Sequence, residues 1–159
     1  MAGSVEQFER LLADEGLADR VVRLQENTRT AELAAQALGT EVGAIVKSLV
    51  VLVDGQPCLA LVSGDRRADL GRVARLFRGD RAEMARGARV KEITGFAIGG
   101  VPPLLSDEEG RRLPAVIDRS LFRYAEVWAA AGSPYAVFPI APSELARLAS
   151  APLEDFVEP

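Results

Sequence analysis

Two stretches of the chain carry groups able to bind or polarise a ligand. One is the apolar run AIVKSLVVLV, which carries a lone cation, Lys47; the other is GFAIGGVPPL, in which Gly99 and Gly100 precede Val101, Pro102 and Pro103. An ammonium among aliphatic side chains is costly to bury unless it reaches water, a partner or an anion. Lys47 therefore either snorkels to the surface from the start of its strand or hooks an anion or carbonyl at the mouth of a pocket. Glycine lets a bound group approach the main chain without meeting a Cβ, and proline fixes φ and removes a donor. A glycine pair stiffened by two prolines can expose N–H groups beside a cavity as a pocket wall, although the same string also describes an ordinary strand-ending turn.

The residues that are missing narrow the chemistry further. The chain has no histidine and one cysteine, Cys58. Ser-His-Asp and Cys-His hydrolysis, HExxH zinc sites and facial-triad iron sites all need an imidazole. No metal and no cofactor is called for. Cys58 lies in QPCLALVS, the setting of a buried, inert thiol. The prolines after Gly100 cannot open the helix that a dinucleotide fingerprint needs, and no Walker string occurs.

With 159 residues and 48% hydrophobic content the chain can bury one core, which predicts a single domain over residues 1–159. Neither a leader-like start nor an apolar run of about 20 residues is present, so a cytoplasmic protein without a membrane partner is expected. The net charge of −4 is unevenly spread: residues 66–91 hold nine Arg or Lys against three Asp or Glu. Such a segment either docks one polyanion or is a set of solvated helix faces.

Ser4 and Gln7 form a capping box for a first helix that Gly16 ends. Val21, Val22 and Leu24 suggest a short strand, and Thr30 caps a helix that stops at Gly39. AIVKSLVVLV, the Asp54-Gly55 turn and PCLALVS read as a β-hairpin. Asp69 caps a third helix, and a fourth lies within residues 85–93, ended by Gly95. LPAVID is a strand finishing at Asp118, beyond a charged loop over residues 107–112. A strand over residues 124–128 is expected to end at the Ala-Ala-Ala-Gly-Ser-Pro run, followed by a strand over 135–140 and a last helix opened by Pro142. The tail EDFVEP is expected to fray. The sum is a mixed α/β (α+β) domain, with an irregular, mainly antiparallel, partly barrel-like sheet and helices packed outside it.

Five blocks in this order, TAELAAQALGTEVGAIVKSLV, DLGRVARLF, ITGFAIGGVPPL, LPAVIDRSLFRYAEVWAAAG and SELARL, resemble the YbaK/prolyl-tRNA synthetase-associated domain family of aminoacyl-tRNA deacylases over about residues 28–150. The resemblance implies a trans-editing domain that hydrolyses the ester between a wrong amino acid and the terminal adenosine of a tRNA, usually that for proline. Mischarged tRNA, at its acceptor end, is the implied partner, and prolyl-tRNA synthetase a candidate second one. The family's lysine falls on Lys47, its G-x-x-x-P loop on Gly99 to Pro103, and its small-residue turn on Gly132 and Ser133. Thr30 and Asp118 fall in flanking pocket motifs. Where many relatives carry a glycine after the proline-leucine pair, this chain reads Leu104-Leu105-Ser106 and an acidic loop. That departure motivates an alternative, a non-catalytic module of the same fold that holds tRNA or a synthetase.

An aminoacyl ester is already activated, so main-chain N–H groups that stabilise the oxyanion can suffice without a titratable side chain. Gly99, Gly100 and Val101 are the expected donors, with Lys47 binding the carbonyl or the ribose-phosphate end as a cation. Asp118 either holds the substrate ammonium, acts as a base, or caps local backbone.

Overall fold

The computed structural model describes residues 5–107 and 109–159, so Ser4 of the expected capping box lies outside the described residues. The first helix, α1, covers Val5–Asp14 and buries Phe8 and Leu12, four residues apart on one face. β1 (Val22–Arg23) leads to α2 (Ala31–Leu38), where the Thr30 hydroxyl accepts from the Leu33 N–H and Gly39 ends the helix at φ 67°. β2 (Val46–Val53) and β3 (Gln56–Ser63) form the expected antiparallel hairpin. α3 (Leu70–Leu76) is capped by Asp69, and α4 (Gly87–Thr94) is ended by Gly95. β5 (Ala115–Asp118), β6 (Val127–Ser133), β7 (Ala136–Ile140), α5 (Pro142–Ala149) and β8 (Leu153–Glu154) complete the order, with β4 (Ala82–Met84) between α3 and α4.

The strands form two sheets rather than a closed barrel: a three-stranded sheet ordered β1-β7-β6 and a five-stranded one ordered β4-β2-β3-β5-β8. Pairing is antiparallel except for β3 with β5 and β5 with β8. The alternation of β2 divides its side chains between two cores. Val46 and Val50 join the larger cluster with Phe8, Leu59, Leu61 and Phe138, whereas Val51 and Val53 join Cys58, Val62, Val73 and Phe156. A strand covered on both faces reads as a nearly continuous apolar run. Cys58 is indeed a buried free thiol, and burial pushes its pKa up.

Three elements depart from the sequence expectation. β6 begins at Val127, not Tyr124, and runs through the alanines to Ser133. The small side chains permit close approach: a Cβ on Gly132 would lie 3.2 Å from the Phe96 ring and 3.3 Å from Val5 Cα, and the register with β7 shifts between Ala130 and Ser133. The tail does not fray. Phe156 is fully buried, its carbonyl accepts from Asp69 N–H at 2.7 Å, and Val157 bridges Ala68. β4, unheralded in the sequence, pairs with β2 only over Val51–Val53. Beyond that ladder, the first half of β2 has β3 on one side and a cavity on the other.

Candidate active site

The cavity measures about 390 Å³, within the usual range for small-molecule sites. Its walls come from separated parts of the chain: Thr28 to Glu32 at the start of α2, Ile45 to Val50 along β2, Met84, Ala85 and Val90, then Ile98, Gly99 and Val101. Lys47 and the glycine-proline corner, some fifty positions apart in sequence, thus meet at one cavity.

The corner is shaped by a turn in which Gly100 N–H donates to the Ala97 carbonyl at 2.9 Å, with Gly99 at φ 87°. That conformation is one glycine adopts without strain. It also presses the main chain against the opposite wall, since a Cβ on Gly99 would lie 2.7 Å from Arg29 Cα. The Gly100 amide is committed to the turn and Gly100 does not line the cavity. Among the described residues, no hydrogen bond is formed by the Gly99 or Val101 amide.

Lys47 is half-buried, and its ammonium donates to the carbonyl of Arg66. Burial pushes its pKa below the ordinary lysine value; nearby Glu32 opposes that shift, while Arg67 adds to it. The ammonium is therefore partly stripped of water but retains an anionic neighbour. Arg29, Thr30 and Glu32 are exposed at the rim, whereas Val46 and Val50 are deep in the core. Next to Lys47, the Ser48 hydroxyl is shielded from solvent and has no partner among the described residues.

The other sequence candidates take supporting places. Thr30 lines the cavity while its hydroxyl caps α2. Pro102 lines a second cavity of about 340 Å³ against α1, with Leu104, Leu105 and Ser106; buried Pro103 lines neither. Ser133 stands behind the corner, its Cα 2.9 Å from where a Cβ on Gly100 would be, and Gly132 relieves the contact with α1. Asp118 is fully buried away from the cavity lining, accepting from Ser63 N–H at 2.9 Å and Ser120 N–H at 2.7 Å. Of its three expected roles, these bonds match local capping.

Against this geometry, the family described as the aminoacyl-tRNA editing domain matches residues 25–148. The chain belongs to that family. Editing domains of this kind hydrolyse the ester that joins an amino acid to tRNA. The chain is 36% identical over 122 residues to the multifunctional Ser/Thr-tRNA deacylase ProXp-y of Escherichia coli, covering 74% of this chain and 71% of that protein. It is 40% identical over 75 residues to the proline–tRNA ligase of Maridesulfovibrio salexigens, which is 47% of this chain but 13% of the ligase. A crystal structure described provisionally as a trans-editing enzyme for prolyl tRNA synthetase superposes with a TM-score of 0.84 at 44% identity, over 100% of this chain and 99% of the other.

Sequence reasoning did not name Arg29, Glu32 and Ser48, which also line this cavity. Glu32 reads as an ordinary first-turn acid that suits a helix dipole. Ser48 alternates to the strand face opposite Lys47, and only the bare strand edge brings both to one cavity. No local pattern announces an edge left open by a strand as short as β4.

Proposed function

We propose that this chain, as one editing unit over residues 1–159, is a free-standing trans-editing deacylase acting on tRNA that carries a small non-cognate amino acid, with tRNA for proline the expected carrier. The observation that carries the reading is the convergence of Lys47, Gly99 and Val101 on one cavity. In this reading the Gly99 and Val101 amides receive the oxyanion, while the Lys47 ammonium binds the carbonyl or the ribose-phosphate end. Exposed Glu32, rather than buried Asp118, takes the substrate ammonium. Thr30, Pro102, Pro103, Gly132 and Ser133 shape and brace the walls.

Water adds to the ester carbonyl, assisted by the neighbouring ribose hydroxyl. The bond from the carbonyl carbon to the ribose oxygen then breaks, and the ribose oxygen leaves with a proton that came from the water. The products are the free amino acid and uncharged tRNA. Editing has an energetic rationale, because one methylene is worth only about 1–3 kcal/mol to a synthetase pocket and small residues are accepted in error. The site of action is the cytoplasm, where charged tRNA is used, and docking to prolyl-tRNA synthetase is a further element of the proposal.

The adaptor reading drew on the altered sequence after Leu104. That segment closes on itself: Leu113 N–H donates to the Leu105 carbonyl at 2.7 Å, and the Asp107 carboxylate accepts from Arg111 Nε at 3.0 Å. It faces the second cavity. Its position at the second cavity, apart from Lys47 and Gly99, supports the deacylase reading over the adaptor.

A panel of misacylated tRNAs, assayed for ester loss, tests the proposal. Wild type should deacylate at least one member, and Lys47→Ala should lower kcat/KM on it by about 10²-fold, the scale of losing one oxyanion donor. Absence of turnover on every member at micromolar enzyme, with tRNA binding retained, would establish the adaptor instead.

A further inference from the structure

An ammonium on a flexible four-carbon stem has no direction of its own; what holds it decides where its charge falls. For Lys47 the holder is the Arg66 carbonyl, in the turn that follows β3. That turn borders the cavity, since Gly64 lines it. Gly64 N–H donates to the Ile45 carbonyl at 2.8 Å, and a Cβ on Gly64 would collide with the Val42 carbonyl oxygen. Arg66 N–H closes the turn on the Ser63 carbonyl at 3.0 Å.

The residue between them is clamped from the other direction. The Asp65 carboxylate accepts from Arg123 Nη2 at 2.9 Å and Nη1 at 3.4 Å, and lies 3.0 Å from Ser63 Oγ. Arg123 is itself fixed, with Nε donating to the Ser120 carbonyl at 2.7 Å and the guanidinium 5.0 Å from the Tyr124 ring centroid. On the far side of Arg66, the Arg67 carbonyl accepts from Glu158 N–H at 2.8 Å. Arg66 therefore sits between two anchored neighbours, and its carbonyl stands where they leave it.

Stability alone gives little reason for the forked pair. Asp65 and Arg123 side chains are 39% and 37% exposed, and ion pairs in such surroundings contribute little to folding. What a two-pronged guanidinium–carboxylate contact does supply is exact geometry. Arg20 and Glu144 form a similar fork, at 2.8 and 3.2 Å, but neither they nor their neighbours in sequence line the cavity.

We propose that Asp65 and Arg123 are positioning residues for ester hydrolysis: their ion pair fixes the turn from which the Arg66 carbonyl holds the Lys47 ammonium at the cavity. The role rests on the deacylase reading, in which that ammonium meets the carbonyl or the ribose-phosphate end of the substrate. Neither side chain touches the reacting atoms. With the pair broken the turn relaxes and the ammonium wanders, and a misplacement of about 1 Å can cost up to about 10²-fold in rate.

A double-mutant cycle on a misacylated tRNA that wild type deacylates tests this. Asp65→Ala and Arg123→Ala should each lower kcat/KM about tenfold. Arg123→Lys, which keeps a donor for Asp65, should recover part of the loss. In a Lys47→Ala background the same substitutions should have no further effect, because the group they position is gone. Arg20→Ala, which breaks the comparable pair elsewhere, should keep wild-type activity. A merely structural brace would lower activity by the same factor with or without Lys47. That result overturns the proposal, as does full activity of Asp65→Ala and Arg123→Ala. Should an alanine variant fail to fold, Asp65→Asn and Arg123→Lys carry the same cycle.

If wild type deacylates no tRNA, the deacylase reading fails on its own account. Positioning is then read from the Lys47 Cε methylene by heteronuclear NMR, because a held side chain gives its two Hε protons separate shifts. Separate shifts in wild type and Arg20→Ala that merge in Asp65→Ala and Arg123→Ala uphold the role. Merged shifts in wild type, or separate shifts in every variant, overturn it.

Discussion

Two polar centres lie one ladder step apart on the β2–β3 hairpin, where Val46 faces Ser63 and Lys47 faces Val62, yet they are satisfied very differently. At the end of β3, Ser63 N–H donates to Asp118, and Ser63 Oγ accepts from Arg123 Nη2 at 2.9 Å while sharing its one proton between the Gly43 carbonyl and the Asp65 carboxylate. Arg123 also binds Asp65 at 2.9 Å and lies over the Tyr124 ring, 5.0 Å from its centroid. At the start of β2, Lys47 and Ser48 have a single side-chain hydrogen bond between them, from the lysine to Arg66. The saturated cluster secures the chain; the Lys47 ammonium, with one hydrogen bond of a possible three, leaves capacity for a ligand. They are joined by the turn after β3, because Asp65 is tied to Arg123 and the next residue supplies the carbonyl that holds Lys47.

If that division of labour is right, substitutions on the two sides should part company. Asp118→Ala leaves two N–H groups without their acceptor, at about 1–3 kcal/mol each. Its melting temperature should fall by roughly 5–10 °C. Lys47→Ala should melt within about 2 °C of wild type while losing activity, since the ammonium is penalised by burial. Similar melting for Asp118→Ala and wild type would erase the distinction.

Gly99→Ala probes the cavity side through the main chain. It places a Cβ 2.7 Å from Arg29 Cα at φ 87°, so one wall must move or the residue must carry strain of about 1–3 kcal/mol. A loss of about tenfold in kcat/KM is expected, with a smaller drop in melting temperature than for Asp118→Ala. Full activity would show that the close approach is incidental.

The saturated side should also respond to acid. Burial pushes the Asp65 carboxyl up, but hydrogen bonds from Arg123 and Ser63 outweigh this and hold it below the usual range. Its contribution to stability is therefore complete above the ordinary aspartate pKa and is lost as pH falls through the lowered folded-state value. Melting followed from about pH 6 to pH 3 should show a shallower acid-side decline for Asp65→Asn than for wild type. Parallel curves would remove Asp65 from the account.

The smallest effect concerns the basic segment. Arg72 is engaged with the tail, 3.6 Å from Asp155 and 3.4 Å from the Val157 carbonyl. Arg75 and Arg78 are better probes of polyanion docking. Reversing both charges should raise KM for charged tRNA a few-fold and flatten its salt dependence. An unchanged KM at low salt would assign them to the solvated surface.

What was legible in the sequence follows from how local each cause is. Thr30 and Asp69 as caps, Gly39 and Gly95 as helix ends and the Asp54-Gly55 turn are decided within a few residues. Lys47 and Gly99 stood out because a cation in an aliphatic strand and a glycine pair before two prolines each conflict with their surroundings. The tail and β6 depart from the sequence expectation because their order comes from distant partners: Phe156 is held by its burial and by Asp69, and the alanines of β6 pair with β7. The sequence points to Gly100 as a free donor, whereas only the three-dimensional turn shows its amide given to Ala97. Glu32 and Ser48 were invisible for the same reason, since the strand edge that gathers them depends on where β4 stops.

The most direct measurement is an amide titration by heteronuclear NMR with a non-hydrolysable seryl-adenosine amide, read at Gly99, Val101 and Gly100. The Gly99 and Val101 resonances should move downfield on saturation as their N–H groups gain an acceptor, with Gly100 held near its starting position by the Ala97 carbonyl. Saturable binding that leaves Gly99 and Val101 unmoved and instead shifts Pro102-side neighbours such as Leu104 and Leu105 would contradict the account.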